Sequence, residues 1–298
     1  MKILNNICIV LGIIMFLSPS CDVVEGPYMI ENNNPVDTNS IVRKVLIEEF
    51  TGHYCSNCPD AANELSSLQS LYGENVIGIA IHPSQQTLSF TAPHGLQGEY
   101  SYDFRTKWGI EIDNLLGPIT ELPTGIINRV TGLIDWADWN QSVQDELAKE
   151  PIFSIILSSN MNSNSGTISI SIEALADLSE QYNVVICLTE DHIINWQLNG
   201  QNDEEFYEHN HVLRSILNST LGEIISTTFA TGDIWSKNYL VDLVSLEQYN
   251  IEYSSNNLPA GNGNADGWIA NNMNVIAYIY NVSTNEIVQV EELHLTND

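Results

Sequence analysis

The stretch "EEFTGHYCSNCPDAANEL", residues 48–65, decides the fold of the first half of the chain. Cys55 and Cys58 stand two residues apart in it, after an apolar run and before a helical pattern. The free N–H groups and the partial positive charge of a helix N-terminus stabilise a thiolate, so a C-x-x-C at this junction suits thiol–disulfide exchange. A structural disulfide and a metal clip are the alternatives for the same spacing.

A metal site is the weaker alternative. His53 together with the two cysteines supplies three zinc ligands, whereas a closed structural zinc site needs four, and the sequence has no second C-x-x-C. His209 and His211, two residues apart beside several glutamates, would share one face of a strand, but we expect a solvated polar turn there. We therefore expect no metal and no cofactor.

Outward from the cysteines, residues 42–150 alternate strand and helix patterns. The expected elements are a strand at 43–50, a helix at 59–72, a strand at 75–82, a polar insertion at 83–118, a strand at 123–130 and a last helix that Asp135 begins. The pattern predicts an α/β domain over residues 42–150.

After Pro151 the period of the sequence changes. Ile168, Ile170 and Ile172 alternate with polar residues, which is typical of a half-buried strand. Further short apolar runs follow at steady spacing, among them "YLVDLVSL" (239–246) and a terminal pair joined by "VSTN". We expect an all-β sandwich over residues 151–298, with little helix.

The charge balance excludes one class of partner. The 298 residues contain 9 Lys and Arg against 38 Asp and Glu. A surface of that sign repels phosphate backbones, so we expect no nucleic-acid partner.

The N-terminal segment resembles the signal of a bacterial lipoprotein. Lys2 precedes a short apolar core at residues 7–17, and "LSPSC" ends at Cys21. The resemblance implies a signal peptide over residues 1–20, lipid on Cys21 and a tether over residues 21–41. Export also implies a compartment in which a close cysteine pair becomes a disulfide, while Cys187, in an apolar run, is expected to be a small buried residue.

Strand, C-x-x-C, helix, strand and the distant "ELPTG" at 121–125 resemble the thioredoxin superfamily. The resemblance covers residues 42–150 and implies that Cys55 is the nucleophile and Cys58 the resolving cysteine. For these roles we expect an exposed thiol on Cys55, with its pKa lowered by the helix N-terminus and by His53, and a shielded Cys58. It implies that Glu49 is a buried acid that exchanges a proton with the second cysteine. The proline that faces the cysteines in this family is cis and corresponds to Pro123.

The same match places a substrate groove along the cysteines. The residues that it assigns to the groove are Tyr54, Leu122 and Thr124, with the backbone of Leu122 pairing with a substrate peptide. Ser56 and Asn57 stand between the cysteines in place of the family's common Gly-Pro. That departure leaves the direction of electron flow open.

The whole layout is similar to a Bacteroidetes family named after a 28-kilodalton outer membrane protein. The segments that carry the likeness are "EEFTGHYCSNCP", "LPTGIINR" and "HNHVLRSILNSTLGE" (209–223). It implies a lipid-anchored outer-membrane protein, on the periplasmic face or the cell surface, with an immunoglobulin-like β-sandwich as its second half.

Two functions follow from these patterns. In the first, the protein is a thiol–disulfide oxidoreductase that acts on envelope proteins carrying thiols or disulfides. In the second, it is a non-catalytic binding or scaffold lipoprotein in which Cys55–Cys58 is a structural disulfide and the β-sandwich makes the contacts.

Overall fold

The structure is a computed structural model, and it describes residues 41–295. The expected signal peptide, the lipidation site Cys21 and the tether up to residue 40 lie outside the described residues. The described part forms one compact unit.

The chain alternates strands and helices at first and is mainly strand afterwards. The strands are β1 (Val45–Phe50), β2 (Val76–Ile81), β3 (Thr124–Ile127), β4 (Phe153–Asn162), β5 (Ser165–Ala174), β6 (Tyr182–Glu190), β7 (Ile193–Asn199), β8 (Asn202–His209), β9 (Val212–Ile216), β10 (Glu223–Ser226), β11 (Ile234–Asp242), β12 (Met273–Asn281) and β13 (Ile287–His294). The helices are α1 (Cys58–Tyr72), α2 (Leu88–Thr91), α3 (Lys107–Leu116), α4 (Trp139–Leu147) and α5 (Leu243–Asn257).

A mixed sheet in the order β13-β12-β6-β9-β2-β1-β3 forms the centre of the molecule, and β10 pairs with β6 at its side. Strand β1 runs parallel to β2 and antiparallel to β3. Ala80 of β2 pairs with Val212 of β9, so the sheet continues from the first half of the chain into the second. The two parts of the chain expected on either side of residue 150 therefore share one continuous sheet.

Two further antiparallel sheets complete the fold. Strands β4, β5 and β11 form a three-stranded sheet, and β7 and β8 form a separate hairpin. Alternate side chains of β4 and β5 pack on β6 and β12, as the period of two in the sequence predicts. This core contains Phe153, Ile155, Ile168, Ile170 and Ile172 against Val184, Ile186, Leu188, Val275, Ala277 and Ile279. The second half thus has two packed β-layers.

The helices cover the other end of the central sheet. Leu65 and Leu68 of α1 and Trp139 and Val143 of α4 pack in one core cluster with alternate residues of β1. The intervening residues of β1 join a second cluster that includes Trp108 of α3. Because successive side chains of a strand point to opposite faces, β1 is buried on both sides.

Several local expectations are confirmed. Helix α1 begins at Cys58, directly after the loop that β1 feeds. The Leu122–Pro123 peptide bond is cis. Cys187 is a free thiol and is buried, and burial raises its pKa.

Two expectations are wrong. The apolar run at 239–246 is not one strand, because β11 ends at Asp242 and the 15-residue helix α5 begins there. The Asp242 carboxylate accepts a hydrogen bond from the Ser245 N–H at 3.2 Å and caps that helix. The predicted solvated turn at His209 and His211 is wrong for His209, which ends β8 and is buried.

Candidate redox site

The two cysteines form a disulfide at the start of α1. Their sulfur atoms are 2.18 Å apart and their Cα atoms are 5.4 Å apart. Residues 51–57, which we call the cysteine loop, connect β1 to this helix, and Cys58 is the first helical residue. The N–H groups of the first helical turn have no intrahelical acceptors, so the second sulfur lies where a thiolate is electrostatically favoured.

Both cysteines are buried, and the expectation of an exposed first sulfur is wrong. Cys55 is 3% exposed and Cys58 is 1% exposed. A contact between segments about 140 residues apart in the sequence lies at this site. Hairpin β7–β8 lies beside the cysteine loop and hydrogen-bonds to it.

The outer edge of β7 and the turn that follows it make these hydrogen bonds. The Leu198 N–H donates to the His53 carbonyl at 2.8 Å, and the Gly200 N–H donates to the Ser56 carbonyl at 2.8 Å. The buried Gln197 amide donates to the Cys55 carbonyl at 3.0 Å and to the Gly52 carbonyl at 3.3 Å. An extended strand edge thus follows the loop that carries the disulfide.

The insertion at 83–118 holds the loop from another side. The Tyr54 N–H donates to the Phe90 carbonyl at 3.0 Å. A Cβ atom on Gly52 would lie 2.6 Å from that same carbonyl oxygen, so this close approach requires a glycine. The ring of Tyr54, which is 37% exposed, packs edge-on against His94 and Tyr100.

His53 does not supply a positive charge to the cysteines. Its ring is buried, Nε2 lies 3.2 Å from the Ala92 carbonyl, and burial lowers its pKa to about 4. The imidazole is therefore neutral near pH 7. The sequence-based expectation that His53 assists a thiolate on Cys55 is wrong.

A cavity of about 480 Å³ lies between α1, the ends of β1 and β2, and hairpin β7–β8. Glu49 and Cys58 both line it, and so do Gln197 and Tyr207 of the hairpin. Glu49 Oε1 is buried without a hydrogen-bond partner, and burial raises the pKa of this carboxyl to about 8. A protonated carboxyl and the second cysteine therefore open onto the same space.

Two buried histidines, His82 and His209, are among the residues that line this cavity. Burial lowers the pKa of His82 well below its usual value and that of His209 to about 3. Both rings pack on Phe104, His82 stacked at 4.9 Å and His209 tilted at 4.5 Å between centroids. No group of three or more His, Cys, Asp or Glu side chains within residues 41–295 is arranged to hold a metal ion.

Comparison with known proteins identifies the family. The model of the family described as outer membrane protein Omp28 matches residues 117–298, which is more than half of the chain.

The chain belongs to the Omp28 family. This membership confirms the outer-membrane location that the sequence predicts. The matched segment begins after the cysteine pair, so membership by itself assigns no role to Cys55 and Cys58. Among the described helices, none combines the length and the apolar character needed to cross a membrane.

One solved structure resembles this Omp28-family chain in fold. HBP35 of Porphyromonas gingivalis is 17% identical, with a TM-score of 0.60, over 86% of this chain and 76% of its own. A domain of the outer membrane lipoprotein Omp28 from Porphyromonas gingivalis is 17% identical over 50% of this chain and 91% of its own, with a TM-score of 0.31. No curated protein matches the sequence.

The residues predicted to form a groove lie around the start of β3. Thr124 pairs with Phe50 at the end of β1, and its hydroxyl donates to the Ile134 carbonyl at 3.1 Å. Leu122 packs at the edge of a core cluster. Their role as a substrate groove with Tyr54 and Pro123 stays a prediction.

Sequence patterns did not predict that Gln197 and Tyr207 of hairpin β7–β8 lie at the site, and they indicated His209 only as a metal ligand or part of a polar turn. All three residues lie 139 or more positions after Cys58, and their polar, irregular pattern does not resemble a buried strand. One signal was present, because Asn199-Gly200 is the dipeptide most typical of a tight β-hairpin. That signal predicts a hairpin but not where it packs.

Proposed function

We propose that this protein carries out thiol–disulfide exchange on envelope proteins, here called clients, with Cys55–Cys58 as the redox pair. The observation that carries the proposal is the shared cavity of Cys58 and Glu49. A carboxyl whose pKa is about 8 exchanges protons readily near neutral pH, which is what a resolving cysteine requires. The helix N-terminus at Cys58 supports the same chemistry.

The reaction balances without a cofactor. A client thiolate attacks Cys55 Sγ, the Cys55–Cys58 bond breaks, and a client–Cys55 disulfide forms. Cys58 leaves as a thiolate and takes a proton from Glu49. A second client thiolate then attacks the client sulfur, which releases Cys55 as a thiolate and oxidises the client by two electrons. Run in reverse, Glu49 accepts the Cys58 proton and the client disulfide is reduced.

The proposal includes a finer description of the fold. We assign residues 42–150 to a thioredoxin-like domain and residues 151–298 to an immunoglobulin-like one. The β2-β1-β3 arrangement with helices on both faces supports the first assignment, and the two packed β-layers support the second. We also assign the membrane anchor to lipid on Cys21.

Trapping in the native envelope tests the proposal. A Cys58→Ser protein has no resolving thiol, so attacked clients remain attached to Cys55 as discrete adducts that reductant releases. A Cys55→Ser protein serves as the control and should give no such adducts. The proposal fails if neither variant captures a client while the wild-type pair resists reduction and alkylation.

A scaffold role is the second candidate, and the burial of both sulfurs favours it. In that role the disulfide only fixes the cysteine loop, and replacing both cysteines with serine lowers stability without changing what the protein binds. Binding partners recovered equally with the wild type and the Cys55→Ser, Cys58→Ser double variant would support it.

A further inference from the structure

We propose that the main chain of the cysteine loop is a binding edge for an extended polypeptide. Hairpin β7–β8 occupies this edge in the structure, and the hairpin must move aside before the disulfide reacts. The inference rests on the proposed exchange function. It adds that the hairpin controls access to the cysteine pair, and that the site binds an extended segment of the client.

The hairpin contacts the cysteine loop through main-chain hydrogen bonds. The Leu198 N–H at the end of β7 and the Gly200 N–H in the turn that follows donate to the carbonyls of His53 and Ser56. An extended peptide added to an exposed edge makes the same type of main-chain bond. The two carbonyls are therefore acceptors for any extended segment once β7 leaves.

The hairpin buries few of its side chains. It pairs with no other strand of the described sheets, and of its strand residues only Gln197 and His209 are buried. Ile194 is 52% exposed and Phe206 is 79% exposed. A two-stranded hairpin with so little apolar burial has marginal stability of its own, so it opens at lower free energy than the core.

Two sets of side-chain hydrogen bonds hold the hairpin near the disulfide. One is the Gln197 amide on the Cys55 and Gly52 carbonyls. The other is the Tyr100 hydroxyl, which donates to Asp203 at 2.5 Å. Removing either contact favours the open hairpin and leaves both cysteines in place.

The first test is the rate at which a small phosphine reductant opens Cys55–Cys58 in the full-length protein, followed by alkylation and peptide mass spectrometry. The wild-type rate should level off at high reductant concentration, because hairpin opening becomes limiting. Gln197→Ala should raise that plateau about tenfold, since it removes two hydrogen bonds. Tyr100→Phe should raise it by a smaller factor.

Gln289→Ala is the matched control. Gln289 is also buried and also donates to two main-chain carbonyls, those of Val42 and Phe153, but its contacts lie outside the cysteine loop and the hairpin. It should leave the plateau unchanged. The proposal is overturned if the wild-type rate never levels off, or if Gln197→Ala and Tyr100→Phe react no faster than Gln289→Ala.

The second test uses two cysteine peptides as attacking thiols on the Gln197→Ala protein. One peptide has ordinary residues around its cysteine, and the other has prolines there and so lacks N–H donors. Mixed-disulfide formation should be several-fold faster with the first peptide. Equal rates with the two peptides would overturn the proposal that the cysteine loop is a binding edge.

The two proposals fail in distinguishable ways. A faster plateau in Gln197→Ala together with absent client adducts in the trapping experiment would support the hairpin cover and reject the exchange function. Client adducts that form equally fast with and without Gln197→Ala would support exchange and reject the cover.

Discussion

Glu48 and Glu49 are adjacent in β1 and both are buried, but their surroundings differ. Glu48 receives two hydrogen bonds from the Arg129 guanidinium, at 2.7 and 2.8 Å, and Tyr278 completes the network. Glu49 points to the other face, where its Oε1 has no partner and burial alone raises its pKa. The alternation of side chains along a strand thus separates a paired acid from an unpaired acid.

The two glutamates show that a buried carboxyl in this fold can be paired or unpaired, with different consequences. The Glu48–Arg129 pair joins β1 to the loop after β3 and to β12, so it ties together distant parts of the sheet. An unpaired buried carboxyl lowers stability above its unfolded pKa and is a candidate for proton transfer. The cavity that Glu49 shares with Cys58 matches that use.

Replacing Glu48, the paired acid, should have the largest effect on the free energy of unfolding. Glu48→Gln leaves the buried Arg129 charge uncompensated and should lower the free energy of unfolding by about 3–5 kcal/mol. Urea unfolding at pH 7 measures it. Glu291→Gln is the control, because its Lys44 partner is nearer the surface and its loss should cost less than about 1 kcal/mol. Equal losses in the two variants would show that Glu48 is no structural anchor.

Replacing Glu49, the unpaired acid, should have a pH-dependent effect on stability, opposite in sign to that of replacing Glu48. The folded pKa of Glu49 is raised to about 8, so its contribution to stability is complete below the unfolded pKa and is lost as pH rises toward 8. Each pH unit in that window is worth about 1.4 kcal/mol. Relative to the wild type, Glu49→Gln should therefore gain roughly 2–3 kcal/mol between pH 5 and pH 7.

Urea unfolding of the two proteins at both pH values gives that difference directly. A Glu49→Gln protein whose stability parallels the wild type across this range would mean that Glu49 is ionised in the folded state.

The buried histidines should give a smaller effect on the acid side. The pKa of His82 is lowered by burial, so the neutral ring contributes its full stability above the unfolded pKa, about 6.5, and loses it as pH falls. His82→Phe should gain about 1–2 kcal/mol relative to the wild type between pH 7 and pH 5. The same substitution at the exposed His192 is the control. Identical pH dependence in both variants would contradict the prediction.

Local patterns predicted the cysteine site better than its surroundings. Strand β1, the loop and α1 follow from an apolar run, a C-x-x-C and a helical repeat within 30 residues, and the structure has them where the sequence places them. The contacts of the cysteine loop with Gln197 and Leu198 were missed because these residues lie far along the chain. A one-sequence pattern carries no information about that pairing.

The second half shows the same limit in another form. The alternating residues of β5 predicted a half-buried strand and its packed layer correctly. The apolar run at 239–246 was misread, because it spans a strand end and a helix start, and only the capping geometry of Asp242 separates them. Apolar runs without turn residues do not specify where one element stops.

The rate at which Cys58 resolves a mixed disulfide on Cys55 tests the central claim most directly. The proteins are loaded with a small thiol at Cys55, and its release is followed from pH 6 to pH 9. In the wild type the rate should rise through about pH 8, as Glu49 becomes a carboxylate that accepts the Cys58 proton. Glu49→Gln should be slower by roughly 10²-fold and lose that rise, whereas folded Glu48→Gln should keep the wild-type rate. Equal rates and pH profiles in the wild type and Glu49→Gln would contradict the account.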